Sequence, residues 1–98
     1  MNIKFDDDYL DKKAEFIHAL ANPIRLKIIS IIGNEKVCVS DISKILKIRQ
    51  PNISQHLNIL RNVGILKKKR EGKTICYTLI YPKVLELLDY IDKILEEK

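Results

Sequence analysis

Gln50, Asn52, Ser54, Gln55 and Asn58 fall within one short run, RQPNISQHLNIL (residues 49–60), in which Ile53, Leu57 and Leu60 recur at helical spacing. The three apolar residues form one stripe of a helix, and the opposite side is then made of amides and a hydroxyl. Charged residues are 32% of the chain, so an ordinary wetted helix face would have drawn on them. Neutral side chains that both donate and accept suit the edges of DNA bases: Gln and Asn pair bidentately with adenine, and Ser bonds either way. Close behind comes ILKKKREGKTICYTLI, with Lys67, Lys68, Lys69, Arg70 and Lys73 around Gly72. Such cations contact phosphates and give affinity without sequence choice. Either feature alone is commonly no more than a solvated surface. Their adjacency points to nucleic acid.

Dividing the net charge of +5 sharpens this reading. Residues 1–40 carry six basic and six acidic side chains, residues 41–80 nine and two, and residues 81–98 three and five, so the segments stand at zero, +7 and −2. The positive field lies on the segment that holds the amide-rich face, which fits a polyanion better than mere solubility. Other chemistry finds no frame. Gly33, Gly64 and Gly72 are scattered, so no loop cradles a phosphate, and no Ser/His/Asp or paired-carboxylate arrangement is visible. The chain does not read as an enzyme, and nothing implies a cofactor. Cys38 and Cys76 are too few for a disulfide framework and lack a Cys-x-x-Cys zinc spacing. The start, MNIKFDDDYLDKK, lacks an apolar h-region, and no long apolar run follows. The expectation is a cytoplasmic protein without a membrane span.

Periodicity places these residues on elements. The 98 residues read as a single domain, 1–98. A first helix is expected from about Asp7 to Ala21, with Leu10, Ala14, Ile17 and Ala21 on one stripe and Asp6, Asp7 and Asp8 at the end that favours carboxylates. Asn22-Pro23 reads as an N-cap followed by proline at the first helical position, and PIRLKIISII as a buried second helix that Gly33-Asn34 ends. Lys36 to Val39 is a short β-rich stretch, and Ser40 caps DISKILK. After a turn at about Lys47 to Arg49, the amide-rich helix runs with Pro51 in its first turn until Gly64. From Ile65 to Ile80 the period becomes two, with Ile75, Tyr77 and Leu79 alternating with Thr74, Cys76 and Thr78, and Glu71-Gly72 as a tight turn. A last helix from about Pro82 carries Val84, Leu87, Leu88, Ile91, Ile94 and Leu95. The fold class is mostly α with a small β-hairpin, in the order α-α-β-α-α-β-β-α: a winged helix-turn-helix. Its last helix is too apolar to stand exposed, so a homodimer is expected.

The segments ALANPIRLKIISII and VCVSDISKILKIRQPNISQHLNILRNVGILKKKREGKTICYTL resemble the ArsR/SmtB family of small winged-helix repressors, over roughly Ala19 to Val84. The resemblance implies a homodimer whose terminal helices, about 7–21 and 82–97, form the interface. It also implies an inverted repeat of double-stranded DNA as operator, and derepression by an inducer. By position it assigns Gln50, Asn52, Ser54 and Gln55 to base contacts and the hairpin (Lys68, Lys69, Arg70, Lys73) to the wing. His56 follows the family's Ser-x-His-Leu pattern and reads as a local hydrogen-bonding or phosphate residue of the reading helix. Arg49 departs from the family, which usually has a capping Ser there; Arg cannot cap, and a phosphate or guanine contact is expected of it instead. Neither metal site familiar in the family is intact. Where thiophilic-metal members carry Cys-Val-Cys-Asp, this chain has Cys38-Val39-Ser40-Asp41, and its last helix contains no histidine. His18 reads as a polar residue of the first helix.

Two other readings stay open. In a winged helix the strand near Cys38 usually pairs with the second hairpin strand, so Cys38 and Cys76 would lie on the outer side of one sheet as cross-strand neighbours. Oxidation of that redox pair would strain the sheet and lower DNA affinity, giving a thiol-responsive repressor. The alternative for the thiols is no role at all. A winged helix can also serve as a protein-docking module, which predicts an apolar or acidic reading helix and no basic wing.

Overall fold

The structure, a computed structural model, describes residues 3–97. Its elements are α1 (Asp7–Leu20), α2 (Pro23–Ile32), β1 (Val37–Cys38), α3 (Val39–Leu46), α4 (Gln50–Asn62), β2 (Leu66–Glu71), β3 (Thr74–Leu79) and α5 (Lys83–Glu96). This is the expected order and the winged helix-turn-helix arrangement. The three strands form one antiparallel sheet in the order β1-β3-β2, so the second hairpin strand is central.

Local chemistry explains most boundaries. The Asp6 carboxylate accepts the Tyr9 amide at 3.1 Å and opens α1. The Asn22 side-chain oxygen accepts the amides of Ile24 (2.9 Å) and Arg25 (3.1 Å), with Pro23 at the first helical position, where no donor is needed. Gly33, at φ +52°, turns the chain out of α2.

Two boundaries differ from the sequence reading. Helix α3 begins at Val39, and Cys38, in extended backbone, holds the N-cap position without a side-chain bond, so Ser40 lies inside the helix and is not its cap. Only Val37 and Cys38 pair with β3, and the chain passes from strand to helix with no loop between. The hairpin turn is Gly72-Lys73 rather than Glu71-Gly72, because Glu71 is still paired with Thr74 across the hairpin. Gly72 takes the left-handed φ of +61° that a two-residue hairpin turn requires.

The core lies between α2, α3, α4 and the inner face of the sheet. Ile28, Ile29 and Ile32 of α2 meet Ile42, the α4 stripe of Ile53, Leu57 and Leu60, and Tyr77 of β3. The outer helices are different. The apolar stripe of α1 is open in the single chain, with Leu10 40% and Ile17 54% exposed; toward the core α1 turns Ala19 and Leu20. On α5 only Val84 is buried, while Leu87, Ile91, Ile94 and Leu95 are exposed. Ile17, Leu20, Leu26, Leu87, Leu88 and Ile91 line an apolar cleft of about 540 Å³ between α1, α2 and α5.

Candidate nucleic-acid interface

The helix-turn-helix is α3, the turn at Lys47 to Arg49, and α4. Lys47 takes a left-handed φ of +57° at the end of α3. The backbone then doubles back so that the Ile48 amide donates to the Ser43 carbonyl at 3.2 Å. The Ser43 hydroxyl donates to the Ile48 carbonyl in return. Ser43 thus clamps both polar groups of Ile48 and sets the angle between the two helices. Helix α4 starts at Gln50 with Arg49 as a cap that makes no side-chain bond, and Pro51 removes one amide that would otherwise need a partner.

Burial of Ile53, Leu57 and Leu60 orients α4. Gln50, Asn52, Gln55 and Asn58 are exposed, as is Arg49, while Ser54 is half-buried. At about 100° per residue, Gln50 and Ser54 lie on one flank, Asn52 on the other roughly 160° from Gln50, and Gln55 and Asn58 between them. The polar residues therefore wrap the outer half of the helix rather than forming a single line. His56 is apart from them. It is half-buried, and its Nδ1 lies 3.3 Å from Nη1 of Arg25. Arginine has only donors, so Nδ1 must accept and the ring proton sits on Nε2. Burial holds the His56 pKa below its ordinary value, and the neighbouring Arg25 charge lowers it further.

Arg25 was not singled out from the sequence. It is only 7% exposed. Its Nε donates to the Ala19 carbonyl at 2.6 Å and its Nη2 to the His18 carbonyl at 3.3 Å, so one guanidinium joins the end of α1 to the reading helix. A signal for it existed: Arg25, Ile28, Ile29 and Ile32 are the i, i+3, i+4, i+7 stripe of α2. A charge on that stripe had to be buried and paired.

The wing is the β2–β3 hairpin, and alternation splits its cations. Lys67 and Lys69 share a face with Thr78 and Cys76, whereas Lys68 and Arg70 lie with Tyr77 and Ile75 on the other. Lys69 is 3.8 Å from Glu71, which also binds Lys36. The Lys36 hydrogen bond holds the Glu71 carboxyl below its ordinary pKa. Lys67, Lys68 and Arg70 make no ion pair among the described residues, and Lys73 is exposed in the turn. The wing's uncommitted charge is therefore Lys67, Lys68, Arg70 and Lys73.

Cys38 and Cys76 are register partners, as the sequence suggested, and are joined by a disulfide with their α-carbons 3.8 Å apart. Cys76 also pairs with Lys69 of β2 on its other side, so the bond sits in the middle of the three-stranded sheet. The two sulfurs do not both lie on an open outer surface, since Cys76 is fully buried and only Cys38 is partly exposed. Among the described residues no group of three or more His, Cys, Asp or Glu could hold a metal ion. No helix there is long and apolar enough to cross a membrane.

Residues 22–68, which span α2 to the start of β2, match the profile of the arsR family of bacterial regulatory proteins. The chain is 38% identical over 85 residues to an uncharacterized HTH-type transcriptional regulator of Methanocaldococcus jannaschii, covering 86% of this chain and 96% of the relative. It is 32% identical over 90 residues to a transcriptional repressor SmtB homolog of Synechocystis, covering 92% and 68%. The fold is similar to that of a homodimeric winged helix-turn-helix DNA-binding domain from Mycobacterium bovis, with a TM-score of 0.84, 25% identity, and coverage of 99% and 92%. This chain belongs to the arsR family and is a winged helix-turn-helix, DNA-binding transcriptional regulator.

Proposed function

We propose that the protein is a homodimeric, cytoplasmic repressor that reads an inverted repeat in double-stranded DNA. In this reading α4 enters the major groove, with Gln50, Asn52, Ser54 and Gln55 meeting base edges and Arg49 a phosphate or guanine. The hairpin grips adjacent phosphates through Lys68, Arg70 and Lys73, with Lys69 partly held by Glu71. The observation that carries the reading is the set of uncharged polar side chains that Gln50, Asn52, Gln55 and Asn58 expose on α4, beside a hairpin rich in unpaired cations. The dimer rests on the apolar faces of α1 and α5, left open in one chain, and on the homodimeric state of the similar M. bovis domain. A two-fold dimer sets two reading helices about one DNA turn, or a small multiple of it, apart, hence the inverted repeat.

Selection of bound duplexes from a random pool tests this, with sedimentation of the free protein alongside. The expected outcome is a dimer that enriches a palindromic site, with affinity falling steeply as salt rises. A monomer at micromolar concentration, or recovery of no common site, would defeat it. Retention on heparin that ignores salt would favour the protein-docking alternative.

A further inference from the structure

The cystine joins the two parts of the molecule that face DNA. Cys38 holds the position immediately ahead of α3, and Cys76 sits in the central strand of the wing sheet. The bond therefore ties the start of the helix-turn-helix to the hairpin. Its cysteines are separated by 38 positions, and α3, α4 and β2 all lie inside the ring it closes. On the other side of Cys76, its partner in β2 is Lys69. Directly opposed residues of neighbouring strands share a face, so Cys38, Cys76 and Lys69 form one row across the sheet.

We propose that Cys38–Cys76 is a dithiol–disulfide exchange site, and that the oxidised form is the high-affinity DNA-binding form. This rests on the DNA-reading function above. Access dictates the chemistry. Cys76 is fully buried and Cys38 partly exposed, so the thiolate of a dithiol reductant, small-molecule or thioredoxin-like, reaches Sγ of Cys38. Its attack forms a mixed disulfide at Cys38, breaks the bond to Cys76, and leaves the electron pair on the Cys76 sulfur, 4.0 Å from the Thr74 hydroxyl. The reductant's second thiolate then attacks its own sulfur in the mixed disulfide, closes the reductant's disulfide, and releases Cys38. Two electrons pass to the protein, and the two thiol protons of the reductant balance those of Cys38 and Cys76. A disulfide oxidant runs the sequence in reverse.

The consequence for DNA follows from the ring. With the bond closed, the wing and α3, and through the Ser43 clamp α4, are held in one relative pose. With it open, β1 keeps only its two-residue pairing to β3. Binding must then order that pose, which weakens it.

The test uses the full chain in three forms: oxidised wild type, wild type reduced with dithiothreitol, and Cys38→Ser or Cys76→Ser. Free thiols are counted under native conditions, and affinity is measured on a duplex recovered by selection. The expected result is native-state reduction that exposes both thiols, and binding about tenfold weaker in the reduced protein. Both serine variants should match the reduced protein and ignore dithiothreitol. A bond that opens only on unfolding, or equal affinity of oxidised and reduced wild type, would overturn the proposal. If no form binds any duplex, the repressor reading fails instead, and the native thiol count alone still decides the exchange site.

Discussion

Replacing Arg25 with Ala should destabilise the protein far more than an ordinary polar substitution. The side chain is 7% exposed, and its guanidinium meets three partners: the Ala19 and His18 carbonyls and the His56 ring. These partners do not count equally. The His18 carbonyl also accepts the Ala21 amide at 3.1 Å, so it stays paired when the arginine is gone. The Ala19 carbonyl receives its 2.6 Å bond from Nε, and that residue is only 1% exposed, so it would be left buried and short of a partner. A hydrogen bond from a charged donor is worth about 1.5–3 kcal/mol, and a stranded buried acceptor adds its desolvation. The net expectation is a loss of about 3 kcal/mol, a large part of the roughly 5–15 kcal/mol that holds a domain together. Urea unfolding, followed by circular dichroism, reads this directly. At a slope of about 1–3 kcal/mol per molar, the midpoint should fall by roughly 1–2 M with the slope unchanged. Arg25→Lys should recover little, because an ammonium cannot reach three acceptors in a fork. A midpoint within about 0.3 M of wild type for Arg25→Ala would show that the guanidinium network carries no stability, and the assignment of Arg25 as the bolt between α1 and α4 would fall.

Four further outcomes are expected. The His56 pKa is lowered in the folded protein from its ordinary 6.5. The unfolded chain therefore takes up the proton first, and stability present above about pH 6.5 is lost as pH falls through the folded value; His56→Asn should flatten that acid limb in pH-dependent melting. Lys68→Gln with Arg70→Gln should weaken binding to all duplexes and cut the salt slope by about two, whereas Lys69→Gln, already held by Glu71, should do less in a gel-shift series. Gln50→Ala or Asn52→Ala should erode discrimination between selected and random duplexes by about 1–3 kcal/mol each; equal weakening on both would remove that residue from base reading. Leu87→Glu with Ile91→Glu should leave the helical signal intact and give a monomer by sedimentation; a persistent dimer would place the interface elsewhere.

What the sequence revealed and what it hid follow a physical line. Periodicity located the long elements that face the core, because burial of one face imposes it directly: the α4 stripe and the two-residue alternation of β3 are both as read. Caps were legible where the capping chemistry is local, as at Asn22-Pro23 and Gly33. Ser40 misled because capping competes with the pairing of β1, which carries the chain straight from Cys38 into the helix. Glu71 misled because hairpin register belongs to two strands and cannot be settled by turn residues alone. The stripe on α1 was read correctly as apolar but does not face its own core, since periodicity reports a buried face without saying what buries it. Arg25 and Ser43 were hidden for a deeper reason. Both bond to backbone carbonyls five to seven positions away across a turn, and a carbonyl leaves no trace in residue type.

The two ties on the reading head differ in what they can control. Arg25 acts on the inner side of α4 through bonds that exist only in the folded state, so losing them is felt by the native structure itself. The cystine acts mainly on the unfolded chain: closing a ring across 38 positions removes conformational freedom worth about 4 kcal/mol in the loop-entropy picture. Opening it leaves the core contacts of α2, Ile42 and the α4 stripe untouched, because both sulfurs lie outside that cluster. Reduction should therefore lower stability without dissolving the fold, provided the remaining margin exceeds that cost. The exposed faces of α1 and α5 bear on that margin, since burying them in a dimer couples folding to association. The reduced protein should then be most sensitive to its own concentration, and a redox effect on DNA binding should grow as the protein is diluted. Concentration-dependent melting of the two redox forms tests this. Parallel dependence in both would mean that the ring and the dimer stabilise the chain independently.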